Sequence, residues 1–216
     1  MYQFVTGPMA WIAFGIFFLG MAVKVVSLFY LTREKDKVVF NHFSWQWSLK
    51  SIIRWLIPFG SRSMREKPLF TIITFSFHIC LLITPIFLLS HNIILEERWG
   101  ISLWTLPESV SDIMTIVVIV TVVFLALRRI ALADVRIVTS AYDYLLLAIT
   151  AMPFITGFLA YHQFSNYKFW LIFHILSGEI MLIAIPFTRL SHIFLFFMTR
   201  AHIGSEMGQR RGAATW

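Results

Sequence analysis

The sequence predicts an all-α integral membrane protein: a bundle of five transmembrane helices with an interfacial helix in its first basic loop. Three observations carry this. Of 216 residues, 58% are hydrophobic and only 13% are charged, whereas soluble domains are about a quarter charged. Mean hydropathy is +0.77. Five apolar stretches are each long enough to cross a bilayer, and the basic residues gather in alternate loops between them. The whole chain, residues 1–216, reads as a single membrane domain.

The expected spans run from about Pro8 to Leu31, Pro68 to Leu95, Val110 to Arg128, Ile137 to Tyr161 and Phe169 to Met198. The opening MYQFVTGPMAW has no basic region ahead of its apolar stretch, so the first span is expected to be retained rather than cleaved as a signal peptide. No repeat or low-complexity segment is evident. The loop from Thr32 to Lys67 holds Arg33, Lys35, Lys37, Lys50, Arg54, Arg62, Arg65 and Lys67. Arg128, Arg129 and Arg136 sit between the third and fourth spans, and Arg200, Arg210 and Arg211 follow the fifth. The other two loops carry only Arg98 and Lys168. The positive-inside rule therefore expects the N-terminus outside and the C-terminus in the cytoplasm. Within the first basic loop, Val38–Phe59 interleaves Trp45, Trp47 and Trp55 with Lys50 and Arg54. It reads as an interfacial helix on the cytoplasmic leaflet or as an ordinary amphipathic linker.

The net charge of +7 does not point to nucleic acid, because the bases cluster in short loops beside apolar spans, where they set topology. A single cysteine, Cys80, excludes an intrachain disulfide and a cysteine-ligated iron–sulfur cluster within this chain. It reads as a small apolar filler within the second span.

Histidine is expensive inside a membrane and marks function there. His174 and His192 lie 18 residues apart in the fifth span. On one regular helix that spacing is five turns, so both rings leave the same face about 27 Å apart, close to the thickness of the hydrocarbon core. His78 and His91 lie 13 residues apart in the second span. Opposite directions of travel put His78 and His192 at an inner level, and His91 and His174 at an outer one. Two helices with a histidine at each level can hold two haems b. Bis-histidine ligation leaves no open iron position and suits electron transfer. The bland reading is that these histidines hydrogen-bond between helices. Zinc fits poorly, because two ligands per level leave its shell incomplete.

One detail conflicts with an ideal helix. Thirteen residues rotate the chain by about 220° beyond whole turns, which would aim His78 and His91 apart. Pro85 lies between them, so a distortion of the second span is expected there. His162, at the end of the fourth span, is the back-up ligand. Ser177 and Gly178 could let a flat macrocycle approach the fifth helix. Arg189 could pair with a haem propionate or snorkel to the surface, as Lys24 is expected to do in the first span. Glu179 reads either as part of a proton path or quinone site or as a buried hydrogen bond to a neighbouring helix. His42 and His202 fall in loops and read as solvated.

Five spans, an outer N-terminus and histidines on the second and fifth helices resemble the gamma subunit of respiratory nitrate reductase over nearly the whole chain. The most specific element is FHILSGEIMLIAIPFTRLSH in the fifth span. The histidine spacing of FHICLLITPIFLLSH in the second span is longer than in nitrate reductase proper. There the chain looks more like the cytochrome b subunits of the transmembrane redox complexes of sulfate reducers. The resemblance implies two haems b ligated by His78, His91, His174 and His192 in a bacterial inner membrane. It also implies a cytoplasmic iron–sulfur partner of the heterodisulfide reductase type. Menaquinone, or another quinone, and an outer-face multihaem cytochrome c are the implied exchange partners. The expected function is electron transfer across the membrane as one subunit of a respiratory complex. The competing readings are a haem-free membrane anchor or assembly subunit and, less well supported, a transporter. The chain has neither inverted repeats nor a matched pair of broken helices to support the latter.

Overall fold

Hydrocarbon offers backbone groups no partners, so a spanning chain is driven into helix. The computed structural model describes residues 2–35 and 37–209, and these are helical with no strand. Arg210 and Arg211, counted above among the basic residues of the tail, lie outside the described residues. The longer helices are α1 Ala10–Lys35, α2 Trp45–Leu56, α3 Pro68–Phe87, α4 Leu89–Trp99, α5 Glu108–Ala131, α6 Ala141–Tyr161, α7 Tyr167–Phe187 and α8 His192–Gln209. Among the described residues five helices are long and apolar enough to cross a membrane: Tyr2–Lys35 (α1 with the helical turns before it), α3, α5, α6 and α7. The chain is a multi-pass membrane protein.

Two expected spans end earlier than the sequence suggested, each just after a proline. The second was read as one helix from Pro68 to Leu95. It ends at Phe87, Leu88 is extended (φ −69°, ψ 131°), and α4 starts afresh at Leu89. Pro85 sits three residues before this break, where it removes a backbone donor. The fifth was read as one helix to Met198. It ends at Phe187, just after Pro186; Thr188 is extended, and a 3₁₀ turn, Arg189–Ser191, leads into α8. The five-turn count between His174 and His192 therefore does not hold. The fourth span begins at Ala141 rather than Ile137, because Ser140 and Asp143 form a capping box.

The structure divides into two compact units, Met1–Thr6 with Ile73–Met181, and Gly7–Ile72 with Leu182–Trp216. In the first, α3, α5 and α6 share a core of Phe77, Cys80, Val118, Val122, Ala151 and Phe154. Cys80 is an apolar filler there. The break after α3 is closed by its own carbonyls. Pro85 O accepts from His91 Nδ1 at 2.8 Å, Ile86 O from Asn92 Nδ2 at 2.9 Å, and Phe87 O from the Leu106 N–H at 2.9 Å. Asn92, 2% exposed, also donates to Leu88 O and accepts from the Leu103 N–H.

In the second unit, α2 packs along α8. Ile57 is extended ahead of Pro58 and ends α2. Ser48 Oγ donates to Ala201 O at 2.8 Å, and Ser205 Oγ accepts the Ser44 N–H at 2.8 Å. Arg200 stacks on the Trp55 ring at 4.2 Å; burial draws its guanidinium below its usual range, and the ring face offsets part of that cost. A second stripe of α2, Trp45, Leu49, Ile53 and Leu56, is exposed and apolar, as an interfacial helix requires. Lys24 does not snorkel as expected. Its ammonium donates to Pro186 O (2.9 Å), Thr188 O (3.4 Å) and Ser191 Oγ (2.8 Å), acceptors left by the break in the fifth span.

The α2–α8 contact depends on small residues four apart in α8. A Cβ on Gly204 would stand 2.5 Å from Ser51 Cβ and 2.6 Å from Trp47 O; one on Gly208 would stand 2.8 Å from Trp47 Cβ. Gly204→Val should therefore destabilise the chain by about 1–3 kcal/mol through overpacking, read as a lower melting temperature in detergent. The exposed substitution Leu49→Ala should leave that temperature nearly unchanged.

Candidate functional site

The four histidines expected as ligands hold one feature in common: each ring presents Nδ1 to a backbone carbonyl. The acceptors are Thr74 O for His78 (2.7 Å), Pro85 O for His91 (2.8 Å), Pro153 O for His174 (2.8 Å) and Arg189 O for His192 (2.9 Å). A carbonyl cannot donate, so Nδ1 carries the hydrogen. The neutral ring then has its lone pair on Nε2. Metal-ligating histidines adopt this arrangement, with the outer-shell carbonyl fixing both tautomer and ring orientation.

The structure brings two of these rings together. His91 and His174 face each other with ring centroids 5.9 Å apart and planes 19° from parallel. The break at Leu88 makes this possible. It interrupts the rotation that would aim His91 away, and it frees Pro85 O to hold the ring. On the other side, α6 shapes the pocket for His174. Pro153 supplies the carbonyl, and one turn later Gly157 supplies the space. A Cβ at Gly157 would stand 2.9 Å from both His174 Cε1 and His174 Nδ1. Ser177 Oγ donates to His174 O at 2.8 Å and lies 3.2 Å from Thr156 Oγ1, which ties α7 to α6 beside the ring.

His78 lies in the first unit, on the exposed side of α3, with Phe77 edge-on to its ring at 5.1 Å. His192 lies in the second unit, exposed at the first position of α8. Arg189 is exposed in the 3₁₀ turn before it and supplies the carbonyl that holds it. Gly178 meets no protein atom within 4 Å of an added Cβ, so the glycine that His174 requires is Gly157. The back-up ligand His162 caps α6 and directs Nε2 at the Asp112 carboxylate, 3.1 and 3.2 Å from its oxygens. Among the described residues no three His, Cys, Asp or Glu side chains cluster as metal ligands do.

Sequence reasoning missed Asn92, Pro153 and Gly157 as parts of this arrangement. Asn92 had a visible signal, an amide directly beside a histidine in an apolar run. Pro153 and Gly157 carried none, because their role lies in a histidine on another helix.

No family model and no solved structure matches the chain. A protein of Nitratidesulfovibrio vulgaris (strain Hildenborough) is 46% identical over 219 residues, a match covering 100% of this chain and 97% of the relative. Its printed name, "Protein", states no activity. With near-complete coverage at that identity, the chain belongs to one protein family with this Nitratidesulfovibrio vulgaris relative.

Proposed function

We propose that the chain is a dihaem cytochrome b that carries electrons across a bacterial inner membrane as one subunit of a larger redox complex. The observation that carries this reading is the near-parallel pair His91 and His174, 5.9 Å between ring centroids and each anchored through Nδ1. With metal–imidazole bonds of about 2.0–2.1 Å, a centroid separation of 5.9 Å is of the size that two imidazoles sharing one iron require. The donor set therefore fits a bis-histidine iron. On this reading His91 and His174 hold one haem, and His78 and His192 are the histidines that the resemblance assigns to a second. A haem so held supplies one-electron chemistry with no open position for a substrate.

The chain's own residues do the rest. The four carbonyl anchors fix ring orientation and raise ligand basicity. Gly157 keeps the His174 ring seated, and Arg189 offers a guanidinium to a propionate. The apolar sheath excludes water and, with the ligands, tunes potential. Substrate chemistry then falls to partners: a cytoplasmic iron–sulfur subunit of the heterodisulfide reductase type, an outer-face multihaem cytochrome c, or a quinone such as menaquinone exchanging at the chain's surface. The loop basicity supports an outer N-terminus and a cytoplasmic C-terminus.

Pyridine haemochrome analysis of the purified chain should give about two haems b per polypeptide; one or none would sink the dihaem reading. His174→Ala should halve that content. Gly157→Ala should do the same, because the added methyl displaces the ring from Pro153 O, while Gly178→Ala should keep both haems. A reporter active only in the cytoplasm should work when fused after Trp216; activity of an export-dependent reporter at that position would reverse the orientation.

A further inference from the structure

Glu179 lies in α7, five residues beyond His174. It is 4% exposed, and neither carboxyl oxygen has a hydrogen-bond partner. The buried hydrogen bond to a neighbouring helix that the sequence allowed is thus absent among the described residues. The other titratable side chains in the spans of its unit are His78 and Cys80 on α3, Glu108, Asp112, Arg128 and Arg129 on α5, Tyr142, Asp143, Tyr144 and Tyr161 on α6, and Tyr167, Lys168 and His174 on α7, with His91 just past the break; none of them hydrogen-bonds to either Glu179 oxygen. Lys24, the cation in the middle of the first span, directs its donors to Pro186 O, Thr188 O and Ser191 Oγ. A buried polar group left without a partner is rare in folded proteins and marks strain, chemistry or a bound species. In a span, an ionisable residue is functional by default.

We propose that Glu179 is a proton-binding site whose occupancy follows the redox state of the His91–His174 level. The proposal rests on the haem reading above. An unpaired carboxylate in hydrocarbon is tolerated only while positive charge lies nearby. When a one-electron donor such as an iron–sulfur centre delivers an electron to that level, the local positive charge falls by one. One proton from the aqueous phase then bonds to a carboxylate oxygen of Glu179, and the net charge is unchanged. No bond in the protein breaks. Withdrawal of the electron by a one-electron acceptor returns the proton to water. Because the reduced level favours the protonated acid, linkage makes the two events reciprocal: one midpoint potential falls as pH rises.

The test uses the full chain in lipid nanodiscs, poised at an electrode, with infrared difference spectra in H₂O and D₂O. The expected result is a carboxylic-acid C=O band that appears on reduction and shifts in D₂O. Glu179→Gln should abolish the band and flatten the pH dependence of one midpoint potential, with haem content unchanged. Glu179→Asp should restore the band at a different frequency, which separates proton binding from a folding defect. A band that survives in Glu179→Gln, or a pH-independent potential in the unaltered chain, overturns the proposal. Failure of the haem reading is seen separately, as a chain without haem b absorbance. In that case a pH-difference spectrum without electron input decides whether Glu179 binds a proton at all, and no Glu179-dependent band there also overturns it.

Discussion

The structure depends on one constraint: inside hydrocarbon, each backbone carbonyl that loses its helical partner must find a donor within the protein. Two spans break, after Phe87 and after Phe187, and the residues that repair those breaks include the ones of functional interest. His91 and Asn92 serve the carbonyls of Pro85 and Ile86. Lys24 serves those of Pro186 and Thr188. The break that ends each span thus leaves the acceptors that position a histidine or a cation.

The same economy governs the ligand geometry. Each of the four histidines engages Nδ1 with the backbone, so ring orientation is set by main-chain geometry, which is stiffer than a side-chain partner would be. Glycine enters where two elements must touch. Gly157 admits the His174 ring, Gly20 faces Pro186, with an added Cβ 2.8 Å from Pro186 Cβ, and Gly204 with Gly208 admits α2. Small residues at close approaches are how membrane helices associate when hydrophobic burial provides no drive between them.

Two charged residues inside spans show how differently burial can be resolved. Lys24 meets three oxygens at the end of a broken helix, where the dipole favours a cation. Glu179 meets none. The first is part of the scaffold, and its ammonium is fully engaged. The second has no scaffold role in its hydrogen bonding, which is why chemistry is assigned to it.

The sequence by itself determined the helical class, the five spans and the amphipathic stretch that becomes α2. Hydropathy and loop charge are properties of local composition, and they act on each span independently of its neighbours. It also raised the expectation of a distortion in the second span at Pro85, which lies between histidines that an unbroken helix would aim apart. Only the tertiary structure decided where the break falls and that it brings His91 to His174. It also decided that the fifth span is broken, that Gly157 rather than Gly178 makes room for the ring, and that Lys24 is satisfied while Glu179 is not. These outcomes turn on which carbonyl on one helix meets which side chain on another. The sequence carries no sign of such encounters, because the partners lie up to 167 residues apart, as Lys24 and Ser191 do.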